Sequence, residues 1–243
     1  MAPKKPVGHC SRKADANRYF NTPTVQIVVG TQNTQEFLIH RGLLCARSEF
    51  FKNALSGRWS ETEKDFKLPE EDPEMFGLYQ AFLYTNSLPI EDDESTLQDR
   101  YLTIGKLYVL CGKLLDLEGK ETVLEAFHEL CSNTDVRVVP NSDCVSVIYD
   151  GTTEKDPARA MLADVYTAKA DKAALQSIPD STLWPSDFFH DLCCGLLLQR
   201  TKERQTRAER DRIIRRLFQD VSHKINKDTL AALQGHIKNL DDK

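Results

Sequence analysis

Glycine is scarce in this chain, at 11 of 243 residues, against the ~7 % usual in globular proteins. That shortage argues against a turn-rich all-β fold. Long apolar runs are missing too: charge interrupts every candidate before the ~18 residues that a membrane span needs, so no membrane association is expected. The opening Met1-Ala-Pro-Lys-Lys-Pro is basic but has no apolar stretch behind it, so a secretory signal is not expected. Paired cysteines are also missing. The seven, at 10, 45, 111, 131, 144, 193 and 194, make an odd set with no CxxC, which suits neither a disulfide framework nor a zinc site. Cys111 and Cys131 fall on apolar helical stripes, where a free cysteine serves as a small core residue. A reducing, intracellular compartment is expected, cytoplasmic or nuclear. Finally, GxSxG, HExxH, the P-loop and GxGxxG are all absent, so we expect no enzyme and no cofactor.

What is present is uneven charge. Residues 1–22 hold five Lys/Arg and one Asp, residues 23–131 ten basic and nineteen acidic groups, and residues 132–243 seventeen of each. An acidic central block repels phosphates, which argues against a nucleic-acid partner.

Periodicity divides the chain into three. Residues 1–22 are polar and aperiodic, and read as a flexible tail. Val25, Ile27 and Val29 alternate as in a strand, Gly30 to Thr34 reads as a turn, and Phe37 with Ile39 gives the second arm of a hairpin. A helix runs through Leu43, Leu44 and Cys45, and Ser48 caps the next, which buries Phe51, Ala54 and Leu55. Phe66 and Leu68 mark a third strand. Asp72-Pro73-Glu74 has the cap, proline and acid of a helix start, and Ser95 with Gln98 reads as a capping box for a longer helix carrying Ile104, Leu107, Tyr108 and Cys111. Leu124, Phe127, Leu130 and Cys131 supply another. From Ser132 onward the chain reads as helical throughout. Asp156-Pro157 repeats the helix start, and Phe188, Phe189, Leu192, Leu196 and Leu197 are apolar nearly all round, which predicts a central helix.

Two clusters in this helical part have plain structural readings. His190 and Cys194 lie four apart on one helical face, a spacing that a nucleophile or metal pair could use. No third ligand or orienting acid follows at a motif spacing, so both are assigned to packing or rim. Residues 200–216 hold eight Lys/Arg and three acids. Glu203 with Arg207, and Asp211 with Arg215, make four-apart pairs suited to a solvated helix face, and no aromatic residues are interleaved for base stacking.

The informative residues are Phe37, His40, Arg41, Leu44, Ser48 and Phe51, which resemble the F-x-x-H-K/R-x-x-L-x-x-x-S-x-x-F signature of BTB/POZ domains. Phe82-Leu-Tyr84-Thr85 is similar to that family's F-x-Y-T segment, in register downstream. The resemblance covers residues 23–131, and its wording is similar to the BTB proteins of filamentous fungi. It implies an α+β BTB/POZ fold, a small sheet with a helical cluster. After it, residues 132–243 would form an all-helical C-terminal region, which resembles a BACK-like extension at Val145, Ile148, Tyr149 and Arg159 to Tyr166. His40 is read as a buried or half-buried hydrogen-bonding residue. Many dimeric members place an Asp at the start of the first strand, paired with the residue matching Arg41; here Pro23 and Thr24 stand in that place.

What the resemblance implies about function is protein–protein interaction without catalysis. Homodimerisation is expected, with Leu43 and Leu44 at the interface because one of these two apolar residues has no obvious partner within the chain. Cullin-binding members carry a φ-x-E motif between the second helix and third strand, and Trp59-Ser60-Glu61 stands there. Trp59 and Glu61 are therefore the expected contacts to cullin-3, in an adaptor that recruits an unnamed client to a ubiquitin ligase. The alternative is a dimeric scaffold or transcription-associated regulator that binds no cullin.

Overall fold

The computed structural model describes residues 19–56, 65–90, 96–132, 138–170 and 184–241, mostly by backbone alone beyond Gln219. Two compact units divide the chain, Met1–Leu192 and Cys193–Lys243.

The first unit starts with strands β1 (Thr24–Val29) and β2 (Gln35–His40), an antiparallel pair with Val25 opposite Ile39 and Ile27 opposite Phe37. Gly30 begins the connection at φ +87°; a Cβ there would sit 2.9 Å from Cγ of Pro73, so glycine is demanded by both conformation and space. Helices α1 (Arg41–Arg47) and α2 (Glu49–Leu55) follow directly. Strand β3 (Asp65–Leu68) returns parallel to β1, giving the order β2-β1-β3.

Helix α3 (Pro73–Thr85) begins as expected: the Asp72 carboxylate accepts from Glu74 N at 2.9 Å, with Pro73 in the first turn. It also covers the outer edge of β2. Gln80 Nε2 donates to Leu38 O at 3.1 Å, and His40 N donates to the Tyr84 hydroxyl at 3.1 Å. Both groups would otherwise be free to pair with a foreign strand.

Helix α4 (Leu97–Lys113) is the central column, packed against both α5 (Leu117–Ser132) and α6 (Ser142–Gly151). Its cap falls one residue later than the sequence suggested. Thr96 Oγ1 accepts from Asp99 N at 3.2 Å and the Asp99 carboxylate accepts from Thr96 N at 2.9 Å, so the box is Thr96–Asp99 rather than Ser95–Gln98. Gln98 is used elsewhere, donating to Val139 O and accepting from Asn141 N. Tyr101, Ile104, Leu107, Tyr108 and Cys111 of α4 are fully buried. Cys131 and Cys144 join them, and burial raises the Cys131 thiol to about 12, so these cysteines pack as small apolar residues.

Helix α7 (Pro157–Lys169) repeats the Asp-Pro start, with the Asp156 carboxylate accepting from Ala158 N at 3.0 Å. Helix α8 spans Ser186–Asp241. Its first turns pack within the first unit: Phe188 stacks on Trp184 with centroids 5.0 Å apart and meets Tyr166 edge-on at 4.9 Å. The expectation of a central helix is met only at Phe188 and Leu192, which are buried; Phe189, Leu196, Leu197 and Leu198 are exposed. Apolar residues on all sides of a wheel do not guarantee neighbours on all sides.

Candidate interaction surface

The two sequence motifs meet in space. Phe37 packs edge-on against Phe76 of α3 at 5.0 Å, and Phe51 against Phe66 of β3 at 5.2 Å. His40 Nδ1 lies 2.7 Å from the Tyr84 hydroxyl. The same hydroxyl accepts from His40 N, so Tyr84 holds both the backbone and the ring of His40. Phe20 closes the cluster, 5.6 Å from His40 and 6.1 Å from Tyr84. The half-buried, hydrogen-bonding role read for His40 agrees with this geometry.

The start of α1 is held by the segment before β1: Arg41 N donates to Pro23 O, and Gly42 N to Thr22 Oγ1 at 2.8 Å. With no aspartate at Pro23 or Thr24, the Arg41 guanidinium donates instead to Leu55 O at 2.8 Å, at the end of α2. The Arg41 side chain thus satisfies a carbonyl at a helix C-terminus.

Ser48 joins α1 to α2 from a buried position. Its Oγ accepts from Phe51 N at 3.1 Å and donates to Leu114 O at 2.5 Å, so the cap also ties α2 to the α4–α5 corner. In that corner Leu115 takes φ +53°, a conformation costly for a branched side chain. Leu115 and Leu117 both face solvent, at 46 % and 71 % exposure. With Leu38 and Tyr84 they are the large apolar side chains that this block exposes between Leu38 and Leu117 among the described residues.

Beneath the corner lies a buried ion pair that the sequence reading missed. Arg47 and Asp116 have side chains 3 % and 0 % exposed and approach to 3.1 Å. Asp116 Oδ1 accepts from Arg47 Nε at 3.2 Å and from Gly119 N at 2.8 Å, and Oδ2 accepts from the Tyr79 hydroxyl at 3.2 Å. The Arg47 guanidinium also lies 5.2 Å above the Phe82 ring. One carboxylate thus joins α1, α3 and the start of α5. Burial, reinforced by the Asp116 charge, drives the Tyr79 phenol well above its usual range, so it serves as a donor. Gly119 is required here, since a Cβ would sit 2.6 Å from Asp116 Oδ2.

A second site ties this block to the helices after it. Asp156 accepts from the Tyr108 hydroxyl and from Lys120 Nζ, both at 2.6 Å. Burial opposes ionisation of Asp156, but those bonds and the Ala158 N–H together hold its carboxyl below the usual range. Arg159, also buried, donates to the carbonyls of Tyr149 and Thr152 at the end of α6.

The expected site residues fare differently. Trp59 and Glu61 lie outside the described residues. Leu43 and Leu44 are 2 % and 0 % exposed within the single chain, which corrects the expectation that one of them lacks a partner inside it: the sheet and the following helices supply partners on both faces of α1. His190 is exposed, near Asp191 at 3.5 Å, and Cys194 is exposed. Among the described residues, no group of three His, Cys, Asp or Glu is arranged to hold a metal ion, and no helix is long and apolar enough to cross a membrane.

The architecture of this block is a small three-stranded sheet with a helical cluster. The family model for the BTB/POZ domain matches residues 16–116. The chain therefore carries a BTB/POZ domain, followed by further helices.

Proposed function

We propose that the chain is a homodimeric BTB adaptor that brings a client protein to a cullin-3 ubiquitin ligase inside the cell, without catalysis of its own. The carrying observation is Trp59-Ser60-Glu61, which stands between α2 and β3 of a BTB/POZ domain. An apolar side chain at that place inserts into a groove on the partner, and the carboxylate two residues on accepts hydrogen bonds that fix the register. The flanking Ser56-Gly-Arg58 and Ser60 to Glu63 are polar and offer a tryptophan little apolar cover of its own. For the dimer, the contact runs along the α1 segment, with Leu43 and Leu44 beneath the surface as its support. The helices after the domain position the client.

Calorimetric titration with a cullin-3 N-terminal domain tests this. Trp59→Ala should cost at least ~2 kcal/mol, about thirtyfold in affinity, at nearly constant melting temperature. Glu61→Ala should cost less, as a rim charge that keeps part of its solvation. A wild-type chain that dimerises and binds no cullin would leave the scaffold reading in its place.

A further inference from the structure

The second unit exposes a helical seam, apolar at its ends and charged in its middle, whose pattern bears on its partner. On α8, Cys193, Leu196, Arg200, Glu203, Arg207, Arg210, Ile214 and Leu217 recur with alternating steps of three and four. All eight are exposed. Steps of that kind place side chains in one seam along a helix, the seam that packs against another helix in a coiled coil. From Cys193 to Leu217 the seam is about 36 Å long at ~1.5 Å per residue, more than three heptads. Its ends are apolar and its four middle positions are charged.

Charge decides which helix fits and in which direction. A parallel copy in register would stack Arg200, Glu203, Arg207 and Arg210 each on its own equivalent, four like-charge layers in succession. An antiparallel copy turned about a two-fold axis at Gln205 sets Cys193 against Leu217 and Leu196 against Ile214, apolar on apolar at both ends. In the middle it sets Glu203 against Arg207 twice. Two unfavourable layers remain, because Arg200 also meets Arg210 twice, each with Asp211 beside it. Reversal thus cuts the like-charge layers from four to two, adds two opposite-charge layers and keeps apolar residues together at both ends, so a second copy turned end for end is the partner the pattern favours. We propose that α8 pairs antiparallel with α8 of a second copy, about an axis at Gln205. The central charged layers fix direction and register, as polar core positions do in coiled coils. This contact lies outside the BTB/POZ domain and stands or falls separately from it.

Disulfide trapping on the full chain reads the geometry directly. Cys10, Cys193 and Cys194 are first replaced by alanine. Protein carrying Leu196→Cys is then mixed under mild oxidation with differently tagged protein carrying Ile214→Cys. The heterodisulfide should dominate, at least tenfold above a control pairing of Leu196→Cys with Lys202→Cys. Glu203→Arg, which sets arginine against Arg207, should lower the yield severalfold, and adding Arg207→Glu should restore it. Homodisulfides in place of the heterodisulfide, or a yield no higher than the Lys202 control, would overturn the proposal. A chain that dimerises only through its BTB/POZ domain gives no heterodisulfide; one paired through α8 gives it whether or not that domain dimerises.

Discussion

Replacing Asp116 by alanine should be among the most damaging single changes in the BTB/POZ domain. The wild-type carboxylate is fully buried and holds three groups at once: the Arg47 guanidinium, the Tyr79 hydroxyl at 3.2 Å and Gly119 N at 2.8 Å. Removing one partner of a buried ion pair leaves an uncompensated charge, a loss of about 3–5 kcal/mol. Loss of the helix cap adds about 1 kcal/mol in isolation. Contacts sharing one atom group do not add fully, so the expected total is about 4–5 kcal/mol. The assay is chemical denaturation of the full chain at one protein concentration for all variants, so that the contribution of association is compared at equal mass action. A companion Arg47→Met removes the stranded cation, and the Asp116→Ala/Arg47→Met double variant should regain about 2 kcal/mol or more over Asp116→Ala alone. A loss under about 1 kcal/mol for Asp116→Ala would refute the ledger, as would a double variant no more stable than Asp116→Ala.

Other outcomes follow from the same packing. Gly119→Ala places a methyl group 2.6 Å from Asp116 Oδ2 and should cost about 1–3 kcal/mol by crowding, read in the same denaturation assay. Phe51, fully buried against Phe66, should cost about 3–5 kcal/mol as Phe51→Ala; unchanged denaturation would refute its place in the core. Asp156 binds its proton less tightly folded than unfolded. Its contribution is therefore complete above the ordinary carboxylate value and is lost as pH falls through the depressed one. Asp156→Asn should accordingly flatten the acid limb of a stability–pH profile and leave the slope near neutrality unchanged.

The parts legible in the sequence were those written in short spacings. Phe37, His40, Leu44, Ser48 and Phe51 lie within two turns or one strand of one another, so one pattern fixed β2, α1, α2 and the Ser48 cap together. The starts at Asp72-Pro73 and Asp156-Pro157 were local for the same reason. Where two oxygen-bearing residues stood side by side, at Ser95 and Thr96, spacing could not choose, and the reach of the Asp99 carboxylate decided. The Arg47–Asp116–Tyr79 cluster left no local trace, because its members are 69 and 37 residues apart. The close approach at Gly119 was one available signal, a glycine in the first turn of a helix in a chain that uses few. Leu43 and Leu44 show the opposite limit: both look apolar on a wheel, and only the packing around α1 shows that neither is left uncovered. For Trp59 and Glu61, the motif itself carries the proposal.

The most direct test of the adaptor account is the mass of the species formed when the full chain is mixed with a cullin-3 N-terminal domain, measured by light scattering on a size-exclusion column. The account expects one co-eluting complex containing equal numbers of the two proteins and at least two copies of each. A chain that elutes apart from the cullin domain at micromolar concentration, or a complex with a single copy of each, would contradict it.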